Sequence, residues 1–225
     1  EAAGELGLAW AAHHVTATLA CFTANATVVA HHVAQAERIA KALHSPMLLA
    51  QRAEPAIEYA SAKGGWAEAL DLAERMIPVA RALSPRSLLP RLLVWDGTIR
   101  LYRDEIERSK SSFDEAWELS RAGATDSTGA DVNSVIVAHI GQVAYYMTMR
   151  EWIPAIEFAR RGLAIADRYG MTAWTLHRLL PMLAESAVWM GDFTLAEQSA
   201  ARLRADSARF SHGLGEISGI IVEQL

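Results

Sequence analysis

The sequence predicts an all-α protein, arranged as an α-solenoid of about five antiparallel helical hairpins with a period near 40 residues. Strong helix formers fill most windows of the 225-residue chain. Long alternating runs of valine, isoleucine and threonine, which are typical of strands, are nearly absent. A small residue also recurs at a nearly fixed interval, three positions after a larger residue. A repeat of this length is typical of stacked helical units.

The recurring small position, which we call the marker, falls at residues 29, 69, 109, 155 and 196, with spacings of 40, 40, 46 and 41. Residues at a marker and four positions later lie on one face of a helix, where small side chains allow close helix packing. These small pairs are Ala69 and Ala73, Ala155 and Ala159, and Ala196 and Ala200. The larger residue three before the marker is expected to fill the space under a turn, and is Trp66, Ile106, Trp152 or Phe193.

A second helical segment precedes each marker, so each unit is predicted to be a helical hairpin. These first helices are predicted over about 6–23, 46–62, 86–103, 131–149 and 172–190. Gly64 and Gly191 suit turns that need a positive φ, while Asp104 and Arg150 take the equivalent place in units three and four. Pro46 and Pro85 are expected to stop helices.

The units are predicted to form one domain over residues 1–225. Their expected bounds are about 1–45, 46–85, 86–125, 130–170 and 171–211, with 212–225 beginning a sixth unit. The spacing of 46 residues between the third and fourth markers reflects a longer polar connection at 121–133. Asp131 or Thr128 could begin a helix in this connection. The chain starts without methionine and ends in an apolar run, which favours a piece of a longer protein.

Composition narrows the function classes. The net charge is −5 with both signs interspersed, so no basic surface for direct nucleic-acid contact is expected. Residues 6–36 contain no Asp, Glu, Lys or Arg, but two histidine pairs and four threonines interrupt the stretch, which argues against a membrane span. The single cysteine, Cys21, favours a reducing, cytoplasmic location.

The phrases "GGWAEA" at 64–69 and "GDFTLA" at 191–196 resemble the tetratricopeptide repeat, although the period here exceeds the usual 34 residues. The long units and the phrase "RLLPMLAE" at 178–185 resemble the MalT-like helical sensor regions of large bacterial signal-transduction ATPase regulators. In those proteins a LuxR-type helix-turn-helix or an adenylyl cyclase module accompanies the array. The resemblance implies a right-handed superhelix whose first helices line a concave groove.

The resemblance also implies a non-catalytic scaffold or sensor, without a cofactor, that binds a protein segment or small effector in the groove. Solvated charged residues remain the alternative interpretation for the polar positions there. The groove candidates are Glu54, Glu58, Arg91, Tyr145, Arg178, Glu185 and Trp189. The other tryptophans on first helices are Trp10, Trp95 and Trp174, and they could be core or groove residues. Trp66 and Trp152, which stand at the turns, are expected to be structural.

Two further function classes stay open. The pairs His13-His14 and His31-His32 lie on consecutive helices, and His14 and His31 are the candidates for a shared metal in a metal-dependent enzyme. Adjacent residues on a helix point about 100° apart, so only one member of each pair can face the other helix, and a metal needs further ligands. Glu54 and Glu58 could instead serve acid–base chemistry. A passive module that self-associates through its ends is the third class.

Overall fold

The computed structural model describes residues 2–22, 25–83, 88–124, 131–172 and 178–210. Within these ranges the chain is helical and contains no strand, which confirms the predicted class. The ten helices are α1 (Ala2–Phe22), α2 (Ala26–Ala42), α3 (Pro46–Ala62), α4 (Trp66–Ala82), α5 (Leu88–Tyr102), α6 (Ile106–Ala124), α7 (Val132–Thr148), α8 (Trp152–Tyr169), α9 (Leu180–Met190) and α10 (Phe193–Phe210).

The second helices begin three residues before each marker, as the repeat predicts. Their first residues are Ala26, Trp66, Ile106, Trp152 and Phe193. All five markers are buried, and so are the alanines four positions after three of them. In unit three the marker is Ser109, whose hydroxyl donates a hydrogen bond of 2.8 Å to the Gly97 carbonyl. The small positions therefore mark the line along which each second helix meets its first helix.

The helices pack in adjacent pairs, and each pair packs on the next. Successive first helices also contact one another directly, from α1 through α3, α5 and α7 to α9. Exposed ion pairs link second helices of successive units, including Arg81 with Glu115 and Arg202 with Asp167. The closer approach of the first helices places them on the inner side of the stack. None of the described helices is both long and apolar enough to cross a membrane.

The turns within units two to five share one backbone conformation. Gly64 and Gly191 have φ values of 75° and 83°, as predicted. Asp104 and Arg150 adopt the same left-handed conformation, with φ of 60° and 59°. Pro46 lies past the end of α2 and is the first residue of α3, in agreement with the predicted helix 46–62; it follows the N-cap Ser45, because proline's fixed φ suits a first helical turn. Pro85 lies outside the described residues.

Asp131 begins α7, and its side chain accepts a hydrogen bond from the Asn133 amide. It is therefore the helix start in the long connection, while the alternative, Thr128, lies outside the described residues. Buried apolar residues form two large clusters. The first joins units one to three, and the second joins units four and five. Helix α7 contributes to both clusters, through Val137 to the first and through Ile136 to the second.

An arginine network ties units two and three together. Arg100 is buried, and its guanidinium donates hydrogen bonds of 2.7–2.8 Å to Asp96, Glu74 and Glu105. Burial lowers the pKa of Arg100, but these three carboxylates outweigh it and raise the pKa above its ordinary value. The charge is thus compensated from α4, from α5 and from the turn after α5, which fixes the junction of the two units.

Candidate ligand-binding cleft

The first helices of units two to five surround a cleft of about 850 Å³, which we call the inner cleft. Its charged and aromatic lining residues are Glu58, Trp66, Trp95, Tyr102, Trp152, Arg178 and Glu185. Apolar side chains that include Ile140 and Met182 complete much of the lining. The volume falls in the range of small-molecule sites, which are typically apolar with a few placed polar groups. The predicted candidates Glu58, Arg178 and Glu185 all line this cleft.

Glu58 and Arg178 meet across the cleft. The Arg178 Nη2 atom lies 3.7 Å from the Glu58 Oε1 atom, although the two residues belong to units two and five. The Glu58 side chain is 26% exposed and that of Arg178 is 45% exposed. We call this pair the strap, because it joins α3 to the segment directly before α9.

Burial raises the pKa of the Glu58 carboxyl, while Arg178 and the nearby Cys21 thiol lower it by less. Burial also raises the pKa of Cys21 well above its usual range, and the negative charge of Glu58 adds to this effect. Cys21 therefore stays a thiol, and its hydrogen bond of 3.9 Å goes to the Pro55 carbonyl of α3. Glu58 is the more buried member of the strap, and Arg178 reaches it from 3.7 Å.

Glu54 does not offer a free carboxylate to the groove, which corrects its place among the candidates. It is buried and forms an ion pair with Arg91, whose Nε donates a hydrogen bond of 3.0 Å. The two residues join α3 to α5, so this pair stabilises a junction between units two and three. Burial lowers the pKa of Arg91. Glu54 and Glu58 are therefore distinct in role, despite their shared helix.

The tryptophans at the turns line the inner cleft, which differs from the purely structural role expected for them. The rings of Trp66 and Tyr102 stack with centroids 4.5 Å apart. Trp152 stacks in the same way with Trp189, at 6.1 Å. In each pair, the first residue of a second helix meets the last turn of the next first helix. Stacked aromatic pairs therefore stand at the junctions of units two and three and of units four and five.

The remaining aromatic candidates lie elsewhere. Trp189 is 61% exposed and reaches the cleft only through Trp152. Tyr145 is not part of the cleft lining and instead packs beside Tyr146 and under the Lys110 ammonium. The groove candidate Tyr145 therefore does not line this cleft. Trp10 is buried in the core, and Trp174 lies outside the described residues.

The histidine pairs meet in a different combination from the one expected. His13 and His32 face each other, with 2.7 Å between their Nδ1 atoms, so one ring donates a hydrogen bond to the other. His14 instead stacks on Trp10, at 4.8 Å between ring centroids. Burial lowers the pKa of His13 and of His14. In the described part of the chain, no group of three or more His, Cys, Asp or Glu residues could hold a metal ion.

No protein-family model matches the chain, and no curated protein sequence matches it. Its fold is similar to a solved Signal Transduction ATPase with Numerous Domains (STAND) protein with a tetratricopeptide repeat sensor, from Pyrococcus horikoshii. The TM-score is 0.57 at 15% sequence identity, and the match covers 94% of this chain. This likeness supports the tetratricopeptide-like helical repeat fold. The chain spans 32% of that protein's length.

Several residues of the cleft were not predicted from the sequence. Tyr102 and Trp66 belong to it because two successive units meet there, and neither residue carries this information in its own helix. The sequence does contain one pattern that could have indicated these aromatic contacts between units. Aromatic residues stand both at the start of a second helix and four positions before the start of the next one, in the pairs Trp66 with Tyr102 and Trp152 with Trp189.

Proposed function

We propose that the chain is a non-catalytic sensor or scaffold that binds an effector or a protein segment in the inner cleft. The observation that carries this proposal is the cleft itself, since four first helices enclose an apolar and aromatic surface with three charged groups. Such a combination gives a ligand both buried area and orientation.

The proposal extends to a signalling context. The solved protein of similar fold has a tetratricopeptide repeat sensor within a signal-transduction ATPase. From the sequence resemblance to MalT-like regulators, we further propose that this array belongs to a bacterial regulatory protein of the transcriptional or cyclic-nucleotide type. A ligand that binds one curvature of the stack better than another shifts the population toward that curvature. An attached module then responds to the shape of the array.

The test is to block the cleft. Ala62 is exposed and lies on the cleft wall, so Ala62→Trp adds bulk there without disturbing the core. Ala164→Trp on α8 is the matched control, because Ala164 is exposed and is not part of the cleft lining. Small metabolites and peptides are screened by thermal shift against the purified chain.

A ligand that raises the melting temperature of the unmodified chain and of Ala164→Trp, but not of Ala62→Trp, is the expected result. A ligand that acts equally on both variants would place the site elsewhere and contradict the proposal. A screen that finds no ligand for the unmodified chain would also count against it.

A further inference from the structure

The inference rests on the proposed function of the inner cleft and names the chemistry of its ligand. We propose that the inner cleft takes a small organic cation, whose ammonium or guanidinium group replaces Arg178 on the Glu58 carboxylate. The apolar body of the ligand then lies among the aromatic rings of the cleft. When Arg178 is released, the ion pair that forms the strap between units two and five is broken. The loss of this ion pair therefore signals that the ligand is bound.

The charges of the cleft favour a cation. Its described charged residues are two carboxylates, Glu58 and Glu185, and one guanidinium, Arg178. Arg178 already lies against Glu58, and Glu185 has no ion-pair partner among the residues that the structure describes. A ligand anion would therefore meet an excess of negative charge, whereas a cation would be attracted by both carboxylates.

The geometry of the strap makes Arg178 replaceable. Its 3.7 Å separation from Glu58 is long for a charge-assisted hydrogen bond, which is normally about 2.7–2.9 Å. Arg178 is also the more exposed partner, and exposed ion pairs contribute little net stability. Glu58, in contrast, lies within α3 and is the more buried partner. A ligand cation at hydrogen-bond distance from Glu58 thus forms a stronger contact than the one it displaces.

The aromatic residues supply the second half of the site. Trp66, Trp95, Tyr102 and Trp152 all line the cleft. The faces of such rings attract cations, and their area also packs against an apolar body. Apolar side chains such as Met182 continue this surface. A ligand with one positive charge on an apolar or aromatic body therefore matches both the charge and the lining of the cleft.

The experiment uses three probes of similar shape but different charge, which are 2-phenylethylamine, 2-phenylethanol and 3-phenylpropionate. Each is titrated into the purified chain by calorimetry and by tryptophan fluorescence. Because the amine is a cation at neutral pH, we expect it to bind most tightly. Glu58→Gln should weaken its binding about tenfold, as expected for loss of one charge-assisted hydrogen bond. Arg178→Gln should strengthen its binding several-fold, because the internal competitor is gone.

Arg168→Gln is the matched control for Arg178→Gln, because Arg168 is exposed at the end of α8 and is not part of the cleft lining. This control variant should bind the amine as the unmodified chain does. Circular dichroism verifies that each variant is folded.

Three outcomes overturn the inference while the proposed function stands. In the first, the anion binds more tightly than the amine, and Arg178→Gln removes this binding. In the second, the amine and the alcohol bind equally well, and Ala62→Trp abolishes the binding of both. In the third, no probe binds, although the ligand found by the screen still depends on the cleft. Binding of the amine that Ala62→Trp does not change would instead contradict both the inference and the proposed function.

Discussion

In the described part of the chain, three turns place a residue other than glycine in the left-handed region of backbone space. His44, Asp104 and Arg150 have φ between 50° and 60°. An L-residue in this conformation costs roughly 1–2 kcal/mol, because its Cβ atom crowds the following carbonyl. Glycine occupies the equivalent place in units two and five, where an added Cβ would meet nothing within 4 Å. The turn geometry is therefore set by the packing of the helix pair and is imposed on whichever residue stands there.

Replacement of Arg150 by glycine should raise the free energy of unfolding by about 0.5–1 kcal/mol. The gain is the relief of the left-handed strain, less the entropy that glycine adds to the unfolded chain. Urea unfolding followed by circular dichroism measures it. The reciprocal change, Gly191→Arg, should destabilise the chain by a similar amount. If both substitutions shift stability in the same direction, backbone strain is not the cause.

His139 is a buried residue of α7 whose titration should affect stability. Its Nδ1–H donates a hydrogen bond of 2.8 Å to the Val135 carbonyl, and its ring meets Trp117 edge-on at 4.9 Å between centroids. Burial lowers the pKa of His139 below its ordinary value of 6.5, and the Val135 hydrogen bond opposes this by less. The folded protein thus takes up this proton only at a lower pH than the unfolded chain.

We expect the contribution of the neutral His139 to the free energy of unfolding to be complete above pH 6.5. It should be lost as the pH falls from 6.5 toward the pKa of His139 in the folded protein, because between these two values the unfolded chain binds the proton and the folded chain does not. His139→Asn keeps a donor for Val135 but cannot titrate. It should therefore lose less stability than the unmodified protein between pH 7.5 and pH 5, as measured by urea unfolding at each pH. Equal losses in the two proteins would show that His139 does not contribute.

At the scale of the helix, Phe113 of α6 explains two glycines in first helices. Its ring is buried between α5 and α7. A Cβ atom added to Gly97 would lie 2.6 Å from this ring, and one added to Gly141 would lie 2.7 Å from it. Glycine weakens a helix by its own propensity, so these two positions trade local helix stability for the close approach of α5 and α7 to a large side chain.

Gly97→Ala should destabilise the protein by about 1–3 kcal/mol, because the clash with the Phe113 ring outweighs the gain in helix propensity. Thermal unfolding measures the change. Gly7→Ala on α1 is the matched control, since an added Cβ would meet nothing within 4 Å there. It should stabilise the chain by about 0.5–1 kcal/mol. A stabilising effect of Gly97→Ala would rule out the packing explanation.

At the scale of the whole molecule, the two large core clusters meet at α7. Leu92 belongs to the first and Leu203 to the second, and both are fully buried. In a repeat array each unit contacts mainly its neighbours, so stability is shared locally and not across the whole chain. Units one to three and units four and five should therefore differ in how they respond to local damage.

Leu203→Ala should cost about 2–5 kcal/mol and should lower hydrogen-exchange protection in residues 152–203 more than in 50–102. Leu92→Ala should give the opposite pattern. Hydrogen exchange read by mass spectrometry resolves the two regions. Uniform loss of protection along the chain in either variant would show one cooperative unit.

Much of the fold could be predicted because its determinants are local. The spacing of Trp66, Ala69 and Ala73 within one helix gives its start, its buried face and the length of the unit. The departures at Asp104 and Arg150 were visible as missing glycines. The place of Pro46 could also be predicted, because a proline that follows one helix suits the first turn of the next, and only three residues connect α2 to α3.

The periodicity of the chain is enough to predict a stack of helical hairpins, the start of each second helix and the burial of its small marker positions, because these properties follow from spacings of a few residues. The contacts of Glu58 with Arg178 and of Glu54 with Arg91, and the place of Trp66 and Trp152 in a cleft, could be learned from the folded chain alone. Those contacts depend on the curvature of the stack. Curvature is the sum of small rotations between successive units, and no single segment of the sequence contains that sum.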